Sequence, residues 1–137
     1  MKDDRVAVPP QLPVPSESSS IPKESLMPDL LVEREGPVLV LTLNRPTRQN
    51  AMTLAMFARL ADAWDLLEVE TDILACILTG ADGNFSSGMD LRTMAGDTDD
   101  GDDYDVTERM EREGSRFIYD GLLKTRHPRV PVIAAVE

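Results

Sequence analysis

An α/β fold is predicted for this chain of 137 residues on three observations. Two strand-like runs, Leu30–Glu35 and Val38–Leu43, flank Gly36-Pro37. An amphipathic segment follows from Thr53 to about Val69, and a third apolar run covers Ile73–Thr79. Strand, strand, helix, strand in that order is an α/β arrangement.

Each element has its own warrant. Gly36-Pro37 between the first two runs reads as a hairpin turn. Val38-Leu-Val-Leu-Thr-Leu43 is nearly continuous in apolar residues and is expected deep in the sheet. Asn44–Arg48 is a loop. From Thr53, the apolar positions Leu54, Phe57, Leu60, Ala61, Trp64 and Leu67 recur at helical spacing and predict one buried stripe. Glu68, Glu70 and Asp72 mark its polar exit. Ile73–Thr79 is then expected as a strand buried on both faces. Leu91–Ala95 suits a short helix after the turn Gly88-Met89-Asp90. A second amphipathic pattern begins at Val106 and includes Met110, Phe117, Ile118, Gly121 and Leu122. The breaks at Pro128 and Pro131 lead into a last strand over 131–136. Segments 38–43, 73–79 and 131–136 are expected as neighbours in one sheet.

The length suffices for one domain with a core. Seven of the ten prolines fall by residue 37, and Ser16–Ser20 is a polar cluster, so residues 1–28 are expected as a solvated tail preceding a domain over 29–137. A targeting leader fits less well, because there is no continuous apolar stretch and Asp3, Asp4 and Glu17 are present. No run approaches the roughly 18 apolar residues of a membrane span. The net charge of −11 argues against a nucleic-acid groove, which needs lysine and arginine. The single cysteine, Cys76, sits in an apolar strand and excludes an intramolecular disulfide, which fits a cytoplasmic location.

Several chemistries lack their residues. Neither a Gly-x-Gly-x-x-Gly nor a phosphate loop ending Gly-Lys-Ser/Thr occurs. One histidine (His127, in a connector) and one distant cysteine cannot make a zinc site, and no metal is expected. Gly96–Asp105 carries six aspartates. With Gly101 as the required sixth position of a calcium loop, however, the first, third and twelfth would be Gly96, Thr98 and Thr107. An exposed mobile loop is the expectation there, because like charges repel. What remains is backbone chemistry at Phe85-Ser-Ser-Gly-Met-Asp-Leu91, where a buried strand runs out into a loop and a Gly-x-Asp turn starts a helix. That geometry can aim a backbone N–H at a carbonyl oxygen.

Four ordered blocks carry a family resemblance. They are Leu41-Thr-Leu-Asn-Arg-Pro46 followed by Asn50-Ala-Met52; Ile77-Leu-Thr-Gly80; Phe85-Ser-Ser-Gly-Met-Asp-Leu91; and Pro131-Val-Ile-Ala-Ala-Val136. Together they resemble the amino-terminal half of the crotonase superfamily, the enoyl-CoA hydratases and isomerases. The resemblance implies an incomplete crotonase-like spiral of ββα units. It implies an acyl-CoA thioester substrate and no cofactor apart from the coenzyme A carried by that substrate. It further implies an oxyanion hole of two backbone N–H groups, one of them at Met89.

On the same resemblance, Asn50, Ala51, Gly88, Met89, Asp90 and Leu91 would hold the adenine and pantetheine by backbone contacts, and Arg48 or Arg92 would meet the phosphates. Asp90 is read as a helix cap rather than a base, and Arg45-Pro46 as a loop-shaping element. A complete member is expected as a homotrimer or hexamer that hydrates 2-enoyl-CoA. Isomerisation, thioester hydrolysis and decarboxylation are the alternatives within the family. The second donor and the catalytic carboxylates of the family have no counterpart among these residues. Glu108, Glu111 and Glu113 lie on a polar helix face. A non-catalytic remnant, poorly soluble and weak in coenzyme A binding, is therefore the reading from another class.

Overall fold

A computed structural model describes residues 28–96 and 102–137. Among them, strands β1 (Leu30–Glu35), β2 (Val38–Leu43), β3 (Ala75–Gly80) and β4 (Val132–Ala134) form one sheet in that order. The helices are α1 (Leu54–Val69), α2 (Leu91–Met94), α3 (Val106–Glu113) and α4 (Arg116–Gly121). β1 and β2 make an antiparallel hairpin closed by the pair Glu35 and Val38. Gly36 takes φ +59° and proline holds the next residue at negative φ, the signs that a type II′ turn requires. β2 and β3 run parallel, as do β3 and β4. Parallel neighbours need a long crossover. α1 supplies the first, and α2 to α4 supply the second.

α1 begins where Thr53, in extended geometry, accepts the Met56 N–H on its hydroxyl at 3.1 Å. Its interior has no glycine or proline and is rich in alanine and leucine, both good helix formers. The single expected stripe is in fact two. Met56, Leu60, Ala63, Trp64 and Leu67 cluster with Leu39, Leu41, Leu43 and Cys76 of the sheet. Phe57 and Ala58 cluster with Phe117 of α4. The second helix layer explains the wider apolar surface of α1. Each large side chain buried this way contributes about 1.5–3 kcal/mol. The helices approach closely at Gly121, where a Cβ would lie 2.7 Å from the Phe57 carbonyl oxygen. There the Trp64 indole N–H donates to the Gly121 carbonyl at 3.0 Å.

Four expectations are corrected. β3 is not buried on both faces: only Cys76 in it is fully enclosed, and Leu74 just before it is 62% exposed. β2 likewise alternates between enclosed and half-buried residues, so the described helices cover one face of the sheet. The last strand is Val132–Ala134, shorter than 131–136. The pattern from Val106 is two helices, interrupted at Gly114 with φ +60°. Finally, the acidic stretch is not solvated throughout. The Asp102 carboxylate has no exposed surface; it ion-pairs with Arg59 at 2.6 Å and accepts N–H groups of Asp29 and Tyr104 at 2.9 and 2.8 Å. An arginine fork offsets the repulsion that the sequence alone suggests. The expectations for residues 1–27 and 97–101 lie outside the described residues.

Candidate active site

In sheets with parallel strands, ligands are bound beyond the carboxyl ends of the strands. Two loops meet there, residues 44–53 after β2 and 81–90 after β3. The first holds a 3-10 turn at Pro46–Arg48, then Gln49 and Asn50 in left-handed geometry at φ 53° and 52°. Asparagine tolerates that conformation better than most residues. Asn50 is fully buried and joins the two loops. Its Oδ1 accepts the Arg45 N–H at 2.9 Å, and its Nδ2 donates to the carbonyls of Ala81 at 2.9 Å and Asn84 at 2.5 Å. Its own carbonyl accepts the Ser86 hydroxyl at 2.8 Å.

The second loop returns alongside the first. Ser87 N–H donates to the Gln49 carbonyl, and Gly88, at φ +96°, makes a turn that other residues resist. Met52 and Met89 then form a single parallel bridge. Met52 N–H donates to the Gly88 carbonyl at 2.8 Å, and Asp90 N–H donates to the Met52 carbonyl at 2.9 Å. A trans amide is planar, so the N–H of Met89 points opposite to the Gly88 carbonyl and away from Met52. Among the described residues no acceptor takes it.

Asp90 caps α2 by accepting the Arg92 N–H at 3.0 Å, and its other oxygen lies 3.0 Å from the Arg45 guanidinium. The Arg92 N–H and then Arg45 hold its carboxyl below the usual carboxylate range. Arg45 also meets Asp29 at 3.3 Å and the Ala51 carbonyl at 2.7 Å. Asp29 in turn accepts the Thr53 hydroxyl. A charged network therefore underlies the bridge. The reading of Arg45 as a loop-shaping element missed the two carboxylates it joins, since nothing local marks Asp29 or Asp90 as its partners.

Above the bridge lies an open depression of about 420 Å³, lined by Arg48, Ala51, Ser87, Met89, Asp90, Leu91 and Arg92. It brings together six of the eight residues expected to bind substrate. Asn50 and Gly88 are not on its wall. Asn50 lies beneath, and both residues spend their backbone N–H and C=O on internal bonds. Both residues hold together the two loops that surround the depression. Ser87 was missed, although it stands inside the Phe85–Leu91 block. Arg48 and Arg92 are exposed, and Arg92 comes only within 3.8 Å of Asp90.

Other candidates lie outside this depression. His127 is exposed and borders a separate hollow with Trp64 and Arg126. Cys76 is enclosed, and burial pushes its thiol up to about 11. Glu113 is tied to Arg112 at 2.7 Å and Arg109 at 3.3 Å; Arg112 first holds it below its usual range, which suits an ion pair and not a base. Among the described residues no group of three His, Cys, Asp or Glu could hold a metal ion, and no helix is long and apolar enough to cross a membrane.

The sequence profile of the family described as "Enoyl-CoA hydratase/isomerase" matches residues 33–137. The chain belongs to that family. It is similar to enoyl-CoA hydratase EchA19 of Mycobacterium tuberculosis, 43% identical over 112 residues, which are 80% of this chain and 39% of the relative. It is also similar to the mitochondrial Delta(3,5)-Delta(2,4)-dienoyl-CoA isomerase of Rattus norvegicus, 34% identical over 61% of this chain and 25% of that one. Among solved structures, enoyl-CoA hydratase EchA1 from Mycobacterium marinum superposes with a TM-score of 0.63 at 37% identity, over 81% of this chain and 38% of that one. The enoyl-CoA hydratase of Mycobacterium tuberculosis H37Rv gives the same TM-score, 0.63, and the same coverage. The fold is thus an incomplete crotonase-like α/β fold, and the chain spans about two fifths of the length of the hydratase relatives it matches.

Proposed function

We propose that this chain carries the thioester-binding half of an acyl-CoA enzyme, with the Met89 N–H as one of two oxyanion donors. The unpaired direction of that N–H, set by the Gly88–Met52 bond, carries the reading. The complete enzyme would hydrate 2-enoyl-CoA. Water gives up one proton as its oxygen bonds to C3, the π electrons move through C2 to the thioester oxygen, and the resulting enolate takes a proton at C2. Charge develops on the thioester oxygen, where a fixed donor about 3 Å away is worth a few kcal/mol of barrier. Isomerisation passes through the same enolate, and both hydratase and isomerase names occur among the relatives.

Coenzyme A belongs to the substrate in this reading, and no separate cofactor is needed. Arg48 and Arg92, exposed on the rim, suit its phosphates, and Ala51, Leu91 and the Met89 side chain suit the pantetheine and acyl portions. A homotrimer or hexamer is the proposed assembly, and the reducing cytoplasm the proposed location, supported by the single enclosed thiol.

Turnover by the 137-residue chain should be negligible, because the one carboxylate in the depression, Asp90, is committed to Arg45 and the α2 cap. Loss of the conjugated absorbance of crotonyl-CoA measures this, and robust turnover would show that the chemistry lies elsewhere. The donor is tested by infrared spectroscopy of bound crotonyl-CoA. A lowered carbonyl frequency is expected for the native chain and for Met89→Ala, and its loss for Met89→Pro, which has no N–H. Equal spectra from the native chain and a folded Met89→Pro variant would refute the assignment.

A further inference from the structure

We infer that Arg45 is a positioning residue for the Met89 donor, an inference that rests on the oxyanion reading above. Its guanidinium is enclosed, with the side chain 7% exposed. A single nitrogen of it, Nη1, donates both to the Ala51 carbonyl at 2.7 Å and to Asp90 Oδ2 at 3.0 Å. Ala51 precedes Met52, and Asp90 follows Met89. Arg45 therefore clamps together the two segments that pair at the isolated Met52–Met89 bridge.

The clamp acts where the bridge is weakest. The bridge has two hydrogen bonds; on its amino-terminal side the Ser87 N–H to Gln49 carbonyl bond and the Ser86 hydroxyl to Asn50 carbonyl bond continue the join, so the Asp90 side is where the clamp acts. Rotation of the Met89 peptide is opposed on one side by Gly88, whose N–H donates to Ser86 Oγ at 3.0 Å. On the other side it is opposed by Asp90, whose carboxylate Arg45 holds. Charge and shape both favour arginine here. Nε faces Asp29 at 3.3 Å while Nη1 serves the bridge, a division that the planar fork allows and an ammonium does not. The Arg45 backbone is fastened as well: its N–H donates to Asn50 Oδ1, and its carbonyl accepts the N–H groups of Asn50 and Arg48.

The test uses the 137-residue chain and two readouts. Without ligand, residual dipolar couplings report the direction of each backbone N–H. Arg45→Gln and Asp90→Asn are expected to change the coupling of Met89 and leave those of α1 and β2 as in the native chain; Arg45→Lys should recover part of the native value. Asp90→Asn keeps the side-chain acceptor for the α2 cap, so it carries the test should Arg45→Gln fail to fold. With butyryl-CoA labelled with carbon-13 at the thioester carbonyl, the native chain should move that resonance downfield. Arg45→Gln should lose the shift while retaining affinity for unacylated coenzyme A, and Asp90→Asn should lose the shift. Native Met89 couplings in folded Arg45→Gln and Asp90→Asn overturn the positioning role. Altered couplings together with a native chain that leaves the bound carbonyl at its free position overturn the oxyanion reading, and the role proposed for Arg45 falls with it.

Discussion

Replacing Gly80 with alanine tests how tightly the two loops of the site are fitted. A Cβ there would sit 2.0 Å from the Asn84 carbonyl oxygen, 2.4 Å from that of Phe85 and 2.7 Å from the Phe85 Cα. All three are backbone atoms, so no side chain can swing aside. Relief requires the 84–85 segment to move, and that segment is held by Asn50, whose amide donates to the Asn84 carbonyl at 2.5 Å. Overpacking of this kind costs about 1–3 kcal/mol. Leaving the buried Asn50 donor unmade adds about 1–3 kcal/mol. The expected loss is therefore about 2–6 kcal/mol. Trp64 is the only tryptophan and is enclosed, so its fluorescence reports unfolding of the core. With a urea dependence of about 1–3 kcal/mol per molar, the midpoint should fall by at least about 0.7 M. A Gly80→Ala midpoint within error of the native chain would show that the loops are not packed as described.

Three further outcomes are expected. Thr53→Ala removes the α1 cap and the hydroxyl donated to Asp29, and should cost about 1–2 kcal/mol in urea unfolding, with Thr53→Ser close to native. The Asp90 carboxyl titrates below its ordinary value, so its stabilisation is complete above about pH 4 and is lost as pH falls through the folded value; the stability gap between the native chain and Asp90→Asn, followed by urea midpoints against pH, should therefore close on acidification. Cys76, with its thiol pushed up to about 11 by burial, should resist iodoacetamide at pH 8 and react only at the rate of unfolding; rapid labelling of the folded chain would contradict its enclosure.

The elements legible in sequence were those whose signals are local. The hairpin follows from Gly36-Pro37 between apolar runs, α1 from its apolar spacing after Thr53, and the neighbouring strands from their apolar blocks. The Met89 turn was legible only because the Phe85–Leu91 block occurs in order with three others. Its free N–H depends on a bond between Met52 and Gly88 that no spacing encodes. Three of the misreadings share a cause, for each concerned what packs across a distance. The second apolar face of α1 answers to Phe117 on α4. The enclosed Asp102 answers to Arg59, 43 positions earlier in the chain. Arg45 answers to Asp29 and Asp90, on opposite sides of it in sequence. Charge pairs of that span leave no periodic trace, so a run of aspartates reads as solvated until its arginine is located.

The order of pairing in the sheet bears on how the chain folds. β1 and β2 close across a two-residue turn, and β3 joins them once α1 has formed. β4 enters last, because the crossover from β3 to β4 spans on the order of 50 residues. Closing it costs about 3 kcal/mol more in chain entropy than closing the hairpin, at roughly 0.6 kcal/mol for each doubling of loop length. Within the sheet three residue pairs reward that closure, Cys76–Val132, Ile77–Ile133 and Leu78–Ala134, beside the packing of α4 on α1. Until β4 docks, the edge of β3 offers unpaired N–H and C=O groups that an extended segment of another chain can occupy.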